Sequence, residues 1–191
     1  MLNADSYILL WINGHYNDWL DAVMWTISLP RTWLPMYVIL AAIVGWHFRS
    51  WKAVLLVFVG FAIAIGLSDF TCSGILKPLV CRLRPTHEPA LDPVHLVHGY
   101  TGGLYGFCSS HAANTMACAV LFSLLYRNKI ATTCLILWVA LNCYSRMYVG
   151  AHYPTDIIVG LLVGSLWAVL VYWALRHVLH AVGAAAQQGG S

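Results

Sequence analysis

Long apolar runs dominate this chain, and several approach or exceed the roughly 20 residues that a helix needs to cross a bilayer. Five are read as spanning helices, near Thr32 to Phe48, Ala53 to Leu76, Ser109 to Tyr126, Ile130 to Tyr144 and Pro154 to Leu175. The fourth is short unless it continues through Met147. Backbone polar groups in lipid must pair within the protein, which points to an all-α, polytopic membrane helix bundle of five or six helices. Composition agrees: 60% of the residues are hydrophobic and 9% are charged, against about a quarter charged in soluble domains. A soluble protein or a nucleic-acid binder is not expected.

Ahead of these runs, Ile8, Ile12, Tyr16, Trp19, Leu20, Val23, Met24 and Ile27 recur at helical spacing, with Asn13, His15, Asn17, Asp18 and Asp21 between them. The pattern predicts an N-terminal amphipathic helix over residues 4 to 29, lying in the interface or forming a sixth span. Asp5 stands where a secretory signal carries basic residues and no small-residue cleavage site follows, so the segment is expected to stay on the mature protein. Residues 1 to 183 are read as a single integral-membrane domain and residues 184 to 191 as a flexible tail.

Basic residues outside the motifs described next set an orientation. Arg49 and Lys52 fall between the first two spans, Arg127 and Lys129 between the third and fourth, and Arg176 after the fifth. All lie on one side of a five-span arrangement, which is therefore expected to be cytoplasmic. Segments 77 to 108 and 145 to 156 then face outward at membrane level. Trp33, Trp46, Trp51 and Trp173, near span ends, fit interfacial belts.

Those outward segments carry most of the cationic and imidazole chemistry. A Lys or Arg close to hydrocarbon needs an interface, a partner or a ligand. Lys77, Arg84 and Arg146 together suit phosphate oxygens, the guanidinium forks binding in plane and the ammonium as a point charge. Arg82 is expected to make a headgroup or loop contact. Cys108-Ser109-Ser110-His111 precedes the third span, where a serine N-cap and free helix N–H groups favour an anion, with His111 placed to protonate a departing oxygen. His152 and Asp156 stand one helical turn apart, Pro154 fitting the first turn of the fifth span. Asp156 can accept one ring N–H and leave the other nitrogen free to attack.

Lys77 with Arg84-Pro85, then Ser109 and His111, then Ser145-Arg146 with His152 and Asp156, resembles the three-part signature of the type 2 phosphatidic acid phosphatase family, membrane branch. The resemblance covers residues 77 to 156. It implies a metal-independent, cofactor-free lipid phosphate phosphatase working through a phosphohistidine. His152 would be the nucleophile, Asp156 its orienter and His111 the general acid and later base. Lys77, Arg84, Ser109 and Arg146 would hold the phosphoryl oxygens. The second motif departs from the usual Pro-Ser-Gly-His, since Cys108 and Ser110 replace the proline and glycine; Ser110 is expected to add a hydroxyl donor.

A site at the ends of spanning helices favours lipid phosphates over soluble sugar phosphates. Undecaprenyl diphosphate ranks first, followed by phosphatidylglycerol phosphate, phosphatidic acid and lipid A 1-phosphate, in a bacterial inner membrane with the site facing the periplasm or exterior. A lipid phosphotransferase, a vanadate-dependent haloperoxidase and a non-catalytic lipid-binding protein are the rival readings. His87, Glu88, Asp92, His95 and His98 match no zinc spacing and are read as part of a long loop shaping the substrate entrance. The six cysteines are expected to be free thiols, with Cys72, Cys81 and Cys108 the outer-side exceptions. Gly160 and Gly164 are expected to pack closely inside the bundle rather than to mark a dimer face. Oligomeric state has no signature in the chain.

Overall fold

A computed structural model describes residues 4–48, 50–91 and 94–188, with side chains through Leu179. Arg49 and Asp92, used in the readings above, lie outside the described residues. The chain is an all-α membrane bundle: α1 (Ala4–Gly14), α2 (Asp18–Ser28), a short turn of 3-10 helix (Pro30–Trp33), α3 (Leu34–Phe48), α4 (Trp51–Val80), α5 (Ser110–Tyr126), α6 (Lys129–Tyr148) and α7 (Pro154–Gln188). Extended pairing among the described residues is confined to an isolated bridge between Leu83 and Tyr105.

Trp51–Val80, Lys129–Tyr148 and Pro154–Leu179 are each long and apolar enough to cross a membrane, and Asp18–Ser28 with Pro30–Phe48 forms a further pair bent by 71°. Their apolar surface faces outward, as at Trp46 (82% exposed), Ile130 (76%) and Trp51 (72%), the arrangement lipid requires. α6 runs through Met147 to Tyr148, so the span that looked short is long enough.

Two boundaries differ from the expectation. The N-terminal amphipathic segment is two helices rather than one, because the Asn17 side chain caps α2 by accepting the Leu20 N–H at 2.9 Å and two acids in the first turn favour a helix start there. α7 continues past residue 183 to Gln188, so helix enters the segment read as a tail.

α5 forms the centre of the bundle. Its Ala112, Ala113, Ala117 and Ala119 are buried, and small side chains let α7 approach its backbone. A Cβ on Gly160 would stand 2.5 Å from the Ser109 carbonyl oxygen, and one on Gly164 would clash with the Ala113 carbonyl. The two glycines therefore serve packing inside the bundle, as read from the sequence. The α1 helix turns polar residues inward: Asn13 is 1% exposed, donates to the carbonyls of Tyr148 (2.7 Å) and His95 (3.0 Å), and accepts the His95 N–H. One amide thus ties the N-terminal helix to the end of α6 and to the loop between α4 and α5.

Candidate active site

Four chain segments meet at one end of the bundle. α4 delivers the first. Its turns widen to π-helix over Phe70–Leu76, and it stops where Cys81 adopts a left-handed conformation at φ 52°. Lys77 lies on the last helical turns and Arg84 in the extended piece that follows. That piece is clipped to its own return strand, Arg84 N–H to Leu104 O at 3.0 Å and Gly106 N–H to Arg82 O at 2.9 Å. The second segment begins at Ser109, whose side chain accepts the Ala112 N–H at 3.4 Å and starts α5. The third is the last turn of α6, carrying Arg146. The fourth turns at Gly150, φ 70°, where a Cβ would stand 2.9 Å from Val94. It leads through His152 to Pro154 and the first turn of α7, which carries Asp156. A backbone bond from Ser109 N–H to Asp156 O, 2.9 Å, holds the second and fourth segments together.

Lys77, Arg84, Ser110, His111, Arg146 and His152 line one cavity of about 250 Å³, with Tyr100, Trp25, Ser28, Leu29 and Pro30 completing its wall. Ser109 does not line it: it is fully buried and its hydroxyl serves the helix cap. Lys77 Nζ donates to Ser110 Oγ (2.9 Å) and Ser73 Oγ (3.2 Å). Arg146 donates to the Tyr100 hydroxyl at 3.0 Å. Arg84 is buried, and both its Nε and that of Arg146 have no hydrogen-bond partner. Buried guanidinium donors left free are costly, and here they belong to side chains that border an anion-sized hollow. Ser28, at the end of α2, lines the same cavity as His111.

His152 is 2% exposed. Its Nε2 lies 3.5 Å from Arg84 Nη1 and its Nδ1 lies 3.7 Å from Asp156 Oδ2. Burial, and then the charges of Arg84, Arg146 and Lys77, hold its pKa well below the usual histidine value. The ring is therefore neutral near pH 7, with a lone pair available for attack. Tyr100 shows the same field: burial pushes its pKa up, but Arg146, Arg84 and Lys77 together bring it below the ordinary value.

Arg82 is not the headgroup or loop contact expected of it. Its Nη1 donates to Asp156 Oδ1 (2.9 Å) and to Thr155 Oγ1 (2.7 Å), its Nη2 donates to Asp5 Oδ2 (2.6 Å), and its guanidinium lies 3.8 Å from the Tyr153 ring centre. Asp156 Oδ2 also accepts the Tyr153 N–H at 3.0 Å. The carboxylate behind the histidine is thus held on both oxygens. Asp5, Tyr100 and Trp25 are site residues that sequence reasoning missed. Asp5 offered a signal, being an acid on a short apolar helix. Among the described residues no group of three or more His, Cys, Asp or Glu is arranged to hold a metal ion.

Comparison with known proteins decides the family, since the PAP2 superfamily matches residues 53–178. This chain belongs to the PAP2 superfamily. As a PAP2 protein it is a membrane-bound phosphatase, and the matched region contains all three motifs. It is 36% identical over 181 residues to a lipid A 4'-phosphatase of Bacteroides thetaiotaomicron, covering 94% of this chain and 80% of that protein. An undecaprenyl-diphosphatase of Sulfolobus acidocaldarius is 31% identical over 133 residues, covering 70% of this chain and 58% of that protein. The fold of this PAP2 chain is that of the crystal structure of Aquifex aeolicus LpxE, with a TM-score of 0.69 and 21% identity over 89% of this chain and 95% of that one.

Proposed function

We propose that this PAP2 phosphatase removes a phosphate from an acylated sugar lipid of the lipid A class, at the 4'-position, through a phosphohistidine. The convergence of Lys77, Arg84, Ser110, His111, Arg146 and His152 on one cavity carries the chemistry. Two observations support the substrate: the 36% identity to the Bacteroides protein, and the aromatic wall of Trp25 and Tyr100, ring centres 5.5 Å apart. Such rings suit the C–H faces of a sugar, for which a polyprenyl diphosphate has no counterpart. The sequence reading put undecaprenyl diphosphate first and named lipid A only at its 1-phosphate.

In the first step Nε2 of His152 attacks phosphorus, the bond to the ester oxygen breaks, and His111 gives that oxygen a proton. Arg84, Arg146, Lys77 and the Ser110 hydroxyl neutralise charge on the three equatorial oxygens. Asp156, whose Oδ2 lies 3.7 Å from His152 Nδ1, stabilises the charge the imidazole gains. In the second step His111 takes a proton from water, water oxygen bonds to phosphorus, the Nε2–P bond breaks and phosphate leaves. No step calls on a metal or other cofactor. Residues 1–183 act as one domain in a bacterial inner membrane, the site facing outward, as the basic residues Lys52, Arg127, Lys129 and Arg176 favour.

The test is phosphate release by detergent-purified protein from bis-phosphorylated lipid A, undecaprenyl diphosphate, phosphatidylglycerol phosphate and phosphatidic acid, with mass spectrometry locating the phosphate lost. Loss confined to the 4'-position of lipid A supports the proposal. Turnover of undecaprenyl diphosphate in preference overturns the substrate, and a phosphorylated acceptor lipid in place of free phosphate identifies a transferase.

A further inference from the structure

Cys72, in the widened part of α4, and Cys108, just before the α5 cap, are both fully buried, and their sulfur atoms lie 2.6 Å apart although 36 residues separate them in sequence. Around them pack Leu76, Phe107, Ala113, Val159 and Val163, an apolar shell. Their chain neighbours are working residues. Ser73 follows Cys72 and meets Ser110 at 2.7 Å, and Lys77 donates to both hydroxyls. The sulfur pair therefore runs beside the polar bridge that joins the phosphate-binding lysine to the segment carrying Ser110 and His111.

We propose that Cys72 and Cys108 form a cystine in the native protein, a covalent cross-link that fixes the end of α4 against the catalytic segment entering α5. The proposal goes beyond the substrate reading and uses only the outward orientation, which places both thiols in a compartment where disulfides persist. The reactant is a disulfide donor. One cysteine thiolate attacks the donor's S–S bond and expels one donor thiol, then the second cysteine attacks the mixed disulfide and expels the other. Two cysteine thiols are oxidised, one donor disulfide is reduced to two thiols, and the protons balance between them. Val159 and Val163 belong to α7, so exchange takes place before α7 docks, and the finished cystine is sheltered from soluble reductants.

The experiment counts thiols. Cells are quenched in acid, the protein is denatured, and free thiols are tagged with a maleimide polymer before or after reduction. Of the six cysteines, four are expected to react before reduction and all after it. Cys72→Ala is expected to expose all of its remaining thiols without reduction, whereas Cys134→Ala still shields two. Mass spectrometry of unreduced wild-type digests is expected to find the 72 and 108 peptides joined, a readout that does not depend on any variant folding. Six reactive thiols before reduction, or no joined peptide, overturns the cystine. Labelling of exposed Cys81 in spheroplasts by a membrane-impermeant maleimide separates causes: labelled, the failure lies in the pairing; unlabelled, in the orientation. Neither result bears on phosphate release, so the phosphatase reading stands or falls separately.

Discussion

Arg82 and Arg84 stand two residues apart in one extended segment and reach the same turn, yet they live in opposite electrostatic worlds. Residues i and i+2 share a face of an extended chain, so both guanidinium groups arrive at segment 151–156. Arg84 arrives on the cavity side, against the Ala151 carbonyl at 3.3 Å and His152, with its Nε unpartnered. Arg82 arrives behind, paired with two carboxylates and a hydroxyl. An arginine whose donors are spent holds the protein together, and one whose donors are spare is arranged for something that comes and goes. The difference separates a scaffold from a binding site within three residues.

The sharpest way to break that contrast is to remove what both arginines surround. His152→Ala is expected to lower phosphate release by about 10⁴-fold or more, because the covalent route disappears, with thermal stability close to wild type; residual turnover near wild type would remove His152 as nucleophile. Next, Arg84→Ala is expected to cost about 10²- to 10³-fold in kcat/KM. Arg84→Lys should recover only a part, since the planar fork is lost. A loss in Tm without a loss in rate would show that Arg84 is structural too.

Arg82→Ala should invert the pattern. It leaves the Asp156 carboxylate, fully buried, and Asp5 short of a partner. The expected cost is about 2 kcal/mol of stability, below the range for fully buried pairs because 27% of the Arg82 side chain is exposed. Adding Asp5→Asn should return part of the Tm, and a strictly additive double variant would break the claimed network.

The smallest effect is in pH. The folded pKa of His152 is depressed, so between the ordinary histidine value of about 6.5 and that lower value the unfolded chain takes up a proton that the native protein refuses. Its contribution to stability is complete above pH 6.5 and is lost as pH falls through the folded pKa. Wild type should therefore lose Tm more steeply than His152→Gln below pH 6.5, and kcat/KM should show no acidic limb from His152 at its ordinary value. Parallel Tm profiles would place His152 in a more solvated setting.

Much of this was legible in the chain. Of the five spans read from apolar length, those over α4, α6 and α7 are long and apolar enough to cross a membrane, and the first is so together with the helix bent against it. α5, at 17 residues, is not among them. One cavity brings together Lys77, Arg84, His111, Arg146 and His152, which the sequence grouped because basic side chains near hydrocarbon need an interface, a partner or a ligand and because the motifs resemble a family signature. What could not be read was long-range partnership. Asp5 meets Arg82 across 77 residues and Tyr100 meets Arg146 across 46, and neither spacing leaves a periodic trace. Ser109 and Ser110 looked interchangeable as anion contacts. Only the backbone shows that the first turns inward to cap α5 while the second faces the cavity. The break at Asn17 carried a local signal, a capping side chain ahead of acids, overridden in the reading by an unbroken apolar stripe.

The widened turns over Phe70–Leu76 give α4 a change of phase. An α-helix advances about 100° per residue, so the looser winding resets the angular position of everything after it. Trp51 to Asp69 can then keep one face toward α5 and α7 while Lys77 is aimed along a different radius. Deleting one residue in this stretch would leave the span long enough for the bilayer but point the lysine elsewhere. The register of the site is thus stored in helical pitch, a quantity that no single side chain controls.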